Sequence, residues 1–303
     1  MILCIGTTPA VQRTMVFERL AVDDVNRAAA VREYASGKAV NVARVLGVLG
    51  ETARLVGFAG GRRGQFLLEE LAREGIAAEM IPVAGQTRLC TTIIDRATGV
   101  VTELVEEAPP ASADEWAALD GAIDRLAPTA GALVFSGTLA PGAPPDWIAR
   151  RVGADRLTIV DAKGEALRRA LAAGGRTVGK LNRFEFEQTL GRALASEDEL
   201  LAAMRDAAPP AGGLIVTTGR TGAIALIGER AWRVTPPDVD AVSPIGSGDA
   251  FAAGLAAGWA RGPGEALRLA CACGAANAQT ADAGHVSAAD VERLSPLVRV
   301  CEI

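Results

Sequence analysis

Short unbroken apolar runs alternate with amphipathic stretches through the first two thirds of the chain. Residues 1–5, 53–58, 132–135, 157–160, 177–179 and 214–217 read as strands, being too short for helices and rich in branched side chains. Between them, residues 41–49, 65–74, 113–126, 146–152, 164–172 and 197–207 carry apolar residues at helical spacing. Strands without polar alternation are covered on both faces, and strand–helix alternation puts them in a parallel sheet, so the pattern predicts an α/β domain. After about Thr235 only helical patterns follow, over residues 249–260, 264–280 and 288–294.

Two stretches break the alternation. Residues 14–34 and 88–107 look like strands with partly exposed faces, and Arg96-Ala97-Thr98-Gly99 is compatible with a hairpin connection. A small inserted sheet serves as a lid or a dimer surface. A plain extension of the main sheet explains the periodicity equally well.

Composition narrows the function classes. The 303 residues are half hydrophobic, enough for a sizeable core in one large domain. A net charge of −5 offers no general affinity for nucleic acid or for an anionic membrane. Every apolar run is too short to span a bilayer, and Met1-Ile2-Leu3-Cys4-Ile5-Gly6 lacks the basic start of a signal peptide. Five cysteines without framework spacing fit a reducing cytoplasm. Cys271 and Cys273 point to different sides of a helix, so they read as core packing. A single histidine, His285, leaves no room for a histidine triad or a multi-histidine metal site.

Candidate chemistry lies in two glycine turns, each opening a helix. Ile245-Gly246-Ser247-Gly248-Asp249 precedes a strongly apolar run. A helix start leaves backbone N–H groups free and carries partial positive charge, and glycines let a ligand approach that backbone. The turn therefore suits a phosphate or a developing anion, and Asp249 stands where it could take a proton from an attacking hydroxyl. A helix cap is the plainer reading of Asp249. The second turn is Ala35-Ser36-Gly37-Lys38-Ala39-Val40-Asn41. Lys38 is a compact cation for a phosphate or hydroxyl, and Asn41 offers a donor and an acceptor to a sugar hydroxyl. A surface lysine on a solvated first turn is the alternative. The stretch does not meet the Walker A pattern.

Ser36-Gly37-Lys38-Ala39-Val40-Asn41 and Gly246-Ser247-Gly248-Asp249, in that order, resemble the PfkB/ribokinase-type carbohydrate kinases, and within them the 1-phosphofructokinase and tagatose-6-phosphate kinase branch. Val25-Asn26-Arg27-Ala28 is similar to a lid strand of that branch, and Thr87-Arg88 to a phosphosugar-contacting arginine. Ser136-Gly137-Thr138-Leu139-Ala140-Pro141-Gly142, Asp161-Ala162-Lys163-Gly164-Glu165-Ala166-Leu167 and Lys180-Leu181-Asn182-Arg183-Phe184-Glu185 resemble further turns of the family. These seven pieces stand in the family's order and run along almost the whole chain.

The resemblance implies a three-layer α/β/α sandwich of ribokinase type, formed as a single domain over residues 1–303 with a small β-sheet lid from 14–34 and 88–107. It implies Asp249 as catalytic base and the backbone of Gly246, Ser247 and Gly248 as anion hole. Gln12, Arg27, Gly37, Lys38, Asn41 and Arg88 become substrate contacts, with Arg88 and Lys38 suited to a substrate phosphate. Lys180, Asn182, Thr217, Gly219, Gly222 and Asn277 become nucleotide contacts, and Asn182 and Glu185 hold Mg²⁺ partly through water. Asn182 as a plain helix cap and Arg88 as a solvated edge-strand charge remain the alternatives. ATP and Mg²⁺ are the implied cofactors, with K⁺ left open, and a homodimer through the lids is the implied assembly.

Three departures bear on specificity. Where the family has Asn-Pro-Ala-x-Asp, this chain has Thr8-Pro9-Ala10-Val11-Gln12, so an amide stands in for a carboxylate. Ala35-Ser36 replaces glycines, and Leu181 replaces a proline. The expected activity is ATP-dependent phosphorylation of a sugar phosphate. A kinase of an unphosphorylated sugar or nucleoside is one alternative, and a weakly catalytic sugar-binding or regulatory protein on the same scaffold is another.

Overall fold

A computed structural model describes all 303 residues. In chain order the elements are β1 (Ile2–Gly6), β2 (Ala10–Phe17), β3 (Ala30–Ser36), α1 (Lys38–Val48), β4 (Ala53–Ala59), α2 (Gly61–Arg73), β5 (Ala78–Pro82), β6 (Arg88–Asp95) and β7 (Val100–Val105). There follow α3 (Ala113–Leu126), β8 (Ala132–Ser136), β9 (Leu157–Asp161), α4 (Gly164–Ala172), β10 (Thr177–Asn182), α5 (Arg183–Leu190), α6 (Glu197–Ala207) and β11 (Gly213–Thr217). The chain ends with β12 (Ala223–Ile227), β13 (Arg230–Thr235), α7 (Ser247–Gly258), α8 (Pro263–Ala278), α9 (Ala288–Leu294) and β14 (Arg299–Glu302).

The main sheet runs β14-β13-β12-β11-β10-β9-β8-β1-β4-β5. From β11 to β5 every pairing is parallel, as the apolar runs imply. Alternation along these strands divides the interior into two cores. Ile2 and Cys4 of β1 join α1, α7, α8 and α9 on one face, while Leu3 and Ile5 join α3, α4, α5 and α6 on the other. This is the three-layer sandwich. On the first face α7 and α8 pack at small residues: a Cβ on Gly254 would stand 2.7 Å from the Ala270 Cα. Cys271 and Cys273 are buried in that same core. No helix is long and apolar enough to cross a membrane.

Three features differ from the sequence pattern. The sheet gains an antiparallel edge, β12-β13-β14, beyond the parallel strands. Residues 146–152 form only a short 3₁₀ turn, Ala149–Arg151. Prolines at 144 and 145 and Gly153 leave too little chain to nucleate an α-helix, and the segment is held instead by Trp147 and Arg151 bonding to Asp120. Residues 14–34 hold the end of β2 and most of β3 with an irregular stretch between. β2 and β3 pair with β6 and β7 in a separate four-stranded sheet, ordered β3-β2-β6-β7, in which Arg96 to Gly99 makes the β6–β7 hairpin.

Candidate active site

The parallel strands end on one side of the sheet, where α/β folds collect ligands. Ser136, Asp161, Asn182 and Thr217 terminate β8, β9, β10 and β11, and the registers Ser136–Asp161 and Asn182–Thr217 make them neighbours. A polar residue closing an otherwise apolar strand is the signal for two that the motifs left without a role, Asp161 and Ser136. Asp161 is buried and takes Lys38 Nζ on Oδ1 and Lys180 Nζ on Oδ2, both at 2.8 Å. Burial by itself would raise this carboxyl, but the two ammoniums prevail and hold it at about 2. Burial would likewise lower Lys38; Asp161, Asp249 and Glu185 outweigh it and keep the ammonium charged. Ser136 Oγ is buried without a partner in a small cavity shared with Thr8, Gly37 and Lys38.

Above this cluster α7 begins. Gly246 caps the helix in the left-handed region at φ 84°, with no side-chain bond to the first turn. The amides of Gly246 and Gly248 have no acceptor within the protein; Ser247 N donates to the Pro244 carbonyl at 3.2 Å. A Cβ on Gly248 would lie 2.9 Å from Lys180 Nζ, so the uncapped helix start and a buried ammonium face one small space. That pairing is suited to an anion.

Asp249 is buried in the first turn of α7, and Asn41 Nδ2 donates to its Oδ2 at 2.8 Å. Burial pushes its pKa up to about 6; Lys38 pulls it down, Asp161 pushes it up, and Asn41 and Lys180 pull it down. A carboxylate with a pKa near neutrality beside free amides has the acidity a general base needs. Asn41 is itself buried, with its amide turned to Asp249 and its carbonyl taken by Ser36 Oγ and Arg44 Nη1. It meets Asp249 directly. Gly37, at φ 109°, starts α1 so closely over the β1–β2 turn that a Cβ would fall 2.8 Å from Pro9 Cα.

The small sheet supplies one wall. Gln12, Thr14, Tyr34, Cys90 and Thr92 are buried on its inner face, and Gln12 Nε2 donates to Thr92 Oγ1 at 2.8 Å. Thr92 pairs with Glu103 on β7, a carboxyl raised by burial against the pull of Arg88 and Lys38. Arg88 donates to the Thr8 carbonyl from Nε and Nη2, at 3.2 and 3.0 Å, and to the Glu106 carbonyl from Nη1 at 3.3 Å. It is an anchor of the sheet's root and no solvated edge charge. Arg27, in the irregular stretch between β2 and β3, is exposed and makes no ion pair.

On the side expected to take nucleotide, Asn182 does cap α5. Its Oδ1 accepts from Glu185 N at 2.8 Å while Glu185 Oε2 accepts from Asn182 N at 3.0 Å, a capping box. Glu185 Oε1 stays open and lies 3.9 Å from Lys38 Nζ. No group of three or more acidic, histidine or cysteine side chains forms a metal cage. One open carboxylate with amide oxygen nearby fits the mode in which Mg²⁺ keeps its waters and binds chiefly through substrate phosphates. Thr217 stands beside Asn182, and Gly219 and Gly222 make the positive-φ turn that follows β11. Asn277 was expected to touch nucleotide, but the fold closes it off from any ligand. It has no exposed surface, and its amide ties Ile245 O, Ser247 Oγ and Gly284 N together beneath the α7 turn.

The family profile of the pfkB family carbohydrate kinases matches residues 1–289. The chain belongs to that family and is an ATP-dependent sugar kinase. Solved structures agree with the fold. The tetrameric inhibited form of phosphofructokinase-2 from Escherichia coli is 25% identical, with 98% of each chain covered and a TM-score of 0.87. The same enzyme in complex with fructose-6-phosphate matches at 24% identity, with 98% of each chain covered and a TM-score of 0.87. A possible 1-phosphofructokinase from Thermotoga maritima is 20% identical over 100% of this chain and 99% of that one, with a TM-score of 0.90.

Proposed function

We propose that this kinase phosphorylates an already phosphorylated ketose, with Asp249 as the base that takes the proton of the attacking hydroxyl. The observation that carries the reading is the junction at the start of α7: a buried carboxyl raised to about 6, next to two glycine amides without acceptors and the Lys180 ammonium. In an in-line transfer the hydroxyl is held against Asp249, while the Gly246 and Gly248 amides and Lys180 face the charge that grows on the moving phosphoryl oxygens. Asn41 keeps the carboxylate aimed and ionised. A divalent metal on the nucleotide phosphates would neutralise charge there, held by Glu185 and the Asn182 amide through water. The small sheet, closing over the cleft as a lid, would exclude water from the transfer.

Preference for a substrate that already carries phosphate rests on Lys38 and Arg88. Three N–H bonds hold Arg88 to backbone carbonyls, which leaves part of its guanidinium free for an anion. ADP release, measured over paired sugars and sugar phosphates with Mg²⁺, tests this. Each charged contact is worth about 1.5–3 kcal/mol, so the phosphorylated member should be favoured at least ~10-fold in kcat/KM. Equal turnover of both members, or preference for the free sugar, would give the unphosphorylated-sugar reading instead. Arg88→Ala should cut that preference by at least ~10-fold, the worth of one charged contact, while the KM for ATP stays put. The potassium complex of Escherichia coli phosphofructokinase-2 makes K⁺ against Na⁺ the natural added comparison. Two copies would meet through the outer face of the small sheet, where Val31, Val100 and Leu104 are exposed; sedimentation of the protein tests a dimer.

A further inference from the structure

Helix α1 is buried nearly all round, from Ala39 to Leu46, yet carries two polar residues in that stretch, Asn41 and Arg44. A buried guanidinium is costly unless every N–H is satisfied. Arg44 meets the condition. Nε and Nη2 take both carboxylate oxygens of Glu74 at the end of α2, Nη2 also reaches the Ala35 carbonyl, and Nη1 donates to Asn41 Oδ1 at 3.1 Å and the Ala283 carbonyl at 3.5 Å. Its face lies over the Tyr34 ring.

One of these bonds has a chemical consequence. An asparagine amide can turn over, exchanging its donor for its acceptor. Arginine can only donate. With Arg44 Nη1 and Ser36 Oγ both directed at one end of Asn41, that end must be the oxygen, and the NH₂ must face Asp249. A donor favours the ionised carboxylate; an oxygen turned to the same place would favour the protonated acid.

We propose that Arg44 is a positioning residue that locks the Asn41 amide with its NH₂ toward Asp249, and so keeps that carboxylate ready to accept a proton. Glu74 anchors the arginine and Ser36 assists it. Arg44 does not touch Asp249, so its influence passes through the amide. The groups that face Asp249 directly are Lys38 and Asn41 from α1, Asp161 from β9 and Lys180 from β10. Glu185 acts on it only by way of Lys38. Around Arg44 stand Glu74, Tyr34 and the loop bearing Asp282 and His285; His285 is held below its ordinary pKa by burial first and by Arg44 second.

The part of this inference that concerns the reaction rests on Asp249 being the base, so the experiment reads the carboxyl separately from turnover. Infrared titration of the full-length protein follows the Asp249 carboxyl, identified by its loss in Asp249→Asn. Arg44→Met should raise the titration midpoint by about one pH unit, a tenfold gain in proton affinity, and lift the acid limb of the kcat profile equally. Ser36→Ala keeps the Arg44–Glu74 pair and should move the midpoint the same way by less. Arg44→Lys restores a donor-only group and should return part of the shift. A midpoint unmoved in Arg44→Met overturns the inference; should that variant not fold, an unmoved midpoint in both Ser36→Ala and Glu74→Gln overturns it. A midpoint that moves while the acid limb stays fixed would support the lock and remove Asp249 as base.

Discussion

Two helices point their first turns into the cleft, and they begin in opposite ways. Helix α5 starts with a closed cap: Asn182 and Glu185 satisfy each other's backbone amides. Helix α7 starts with Gly246 in the left-handed region, no side-chain cap, and two amides without acceptors. An uncapped helix start forgoes about 1 kcal/mol of local stability. The difference separates two ways of handling anions. The open start offers backbone charge that cannot be titrated or turned away, suited to a group that changes charge during reaction. The closed start spends its amides on its own side chains and leaves a single carboxylate oxygen of Glu185 open, the one proposed to meet a hydrated cation.

The largest expected break in this contrast is at Asp249, the acid of the open start. Asp249→Asn should lower kcat by at least ~10², the usual scale of a general base, and turnover within a few-fold of wild type would remove the assignment. The same substitution has a stability signature. With its folded pKa raised from 3.8 to about 6, Asp249 binds its proton more tightly in the native state, so its contribution falls as pH rises from about 4 to about 6. Asp161, lowered to about 2, acts oppositely and loses its contribution as pH falls from about 4 to about 2. Asp249→Asn should therefore unfold at a higher temperature than wild type at pH 7.5, with the gap shrinking toward pH 4. Calorimetry at the two pH values checks the sign.

Gly248→Ala comes next. Gly248 has ordinary helical φ, so an alanine there is not strained and helix propensity favours it. Its Cβ would press on Lys180 Nζ, which Asp161 holds in place. Thermal stability should change little while kcat falls by roughly 10- to 100-fold, below the cost of removing a whole anion-hole donor. A stability loss with activity retained would mean that the glycine serves packing alone. On the closed start, Asn182→Ala should cost about 1 kcal/mol of stability as a lost cap. If Asn182 also steadies the metal's water, the KM for ATP rises several-fold in addition; an unchanged KM reduces Asn182 to a cap.

The sequence makes both helix starts legible because glycine, serine, asparagine and glutamate act within three or four residues of chain. The links between those starts are another matter. Asn41 and Asp249 are 208 positions apart, and Lys38 and Asp161 are 123 apart, so nothing local announces either bond. Asn277 misleads for a related reason. It sits in an alanine-rich helix whose low amphipathicity names no face, and only the close α7–α8 contact makes it a buried clamp. The antiparallel edge escapes because β13 and β14 mix apolar residues with arginines in short runs that also resemble loop, and β12 is a five-residue apolar run with no helix after it to mark a strand–helix unit. The inner face of the small sheet escapes too: strand register sets Thr14, Thr92 and Glu103 in one row, and Gln12 joins it by its diagonal bond to Thr92.

That row frames the subtlest test. An aspartate at position 12 would accept two charged hydrogen bonds from sugar hydroxyls, whereas the Gln12 amide offers one acceptor and spends a donor on Thr92. Glu103 stands next to Thr92 with its carboxyl raised by burial, so the wall carries its acidic group one strand away from Thr92's own and not at position 12. A substrate with its hydroxyls displaced toward β7 would suit this wall better than fructose 1-phosphate or tagatose 6-phosphate. Charged hydrogen bonds are roughly twice as strong as neutral ones. Gln12→Asp should therefore improve kcat/KM on one of these two sugar phosphates, by about tenfold at most, because the new carboxylate must be buried on the wall that already carries Glu103. The double variant Gln12→Asp/Glu103→Gln relieves that repulsion and should improve it further. If wild type already turns over one of the two efficiently and neither variant raises that rate, Gln12 is a tolerated replacement and the displaced-hydroxyl idea is wrong.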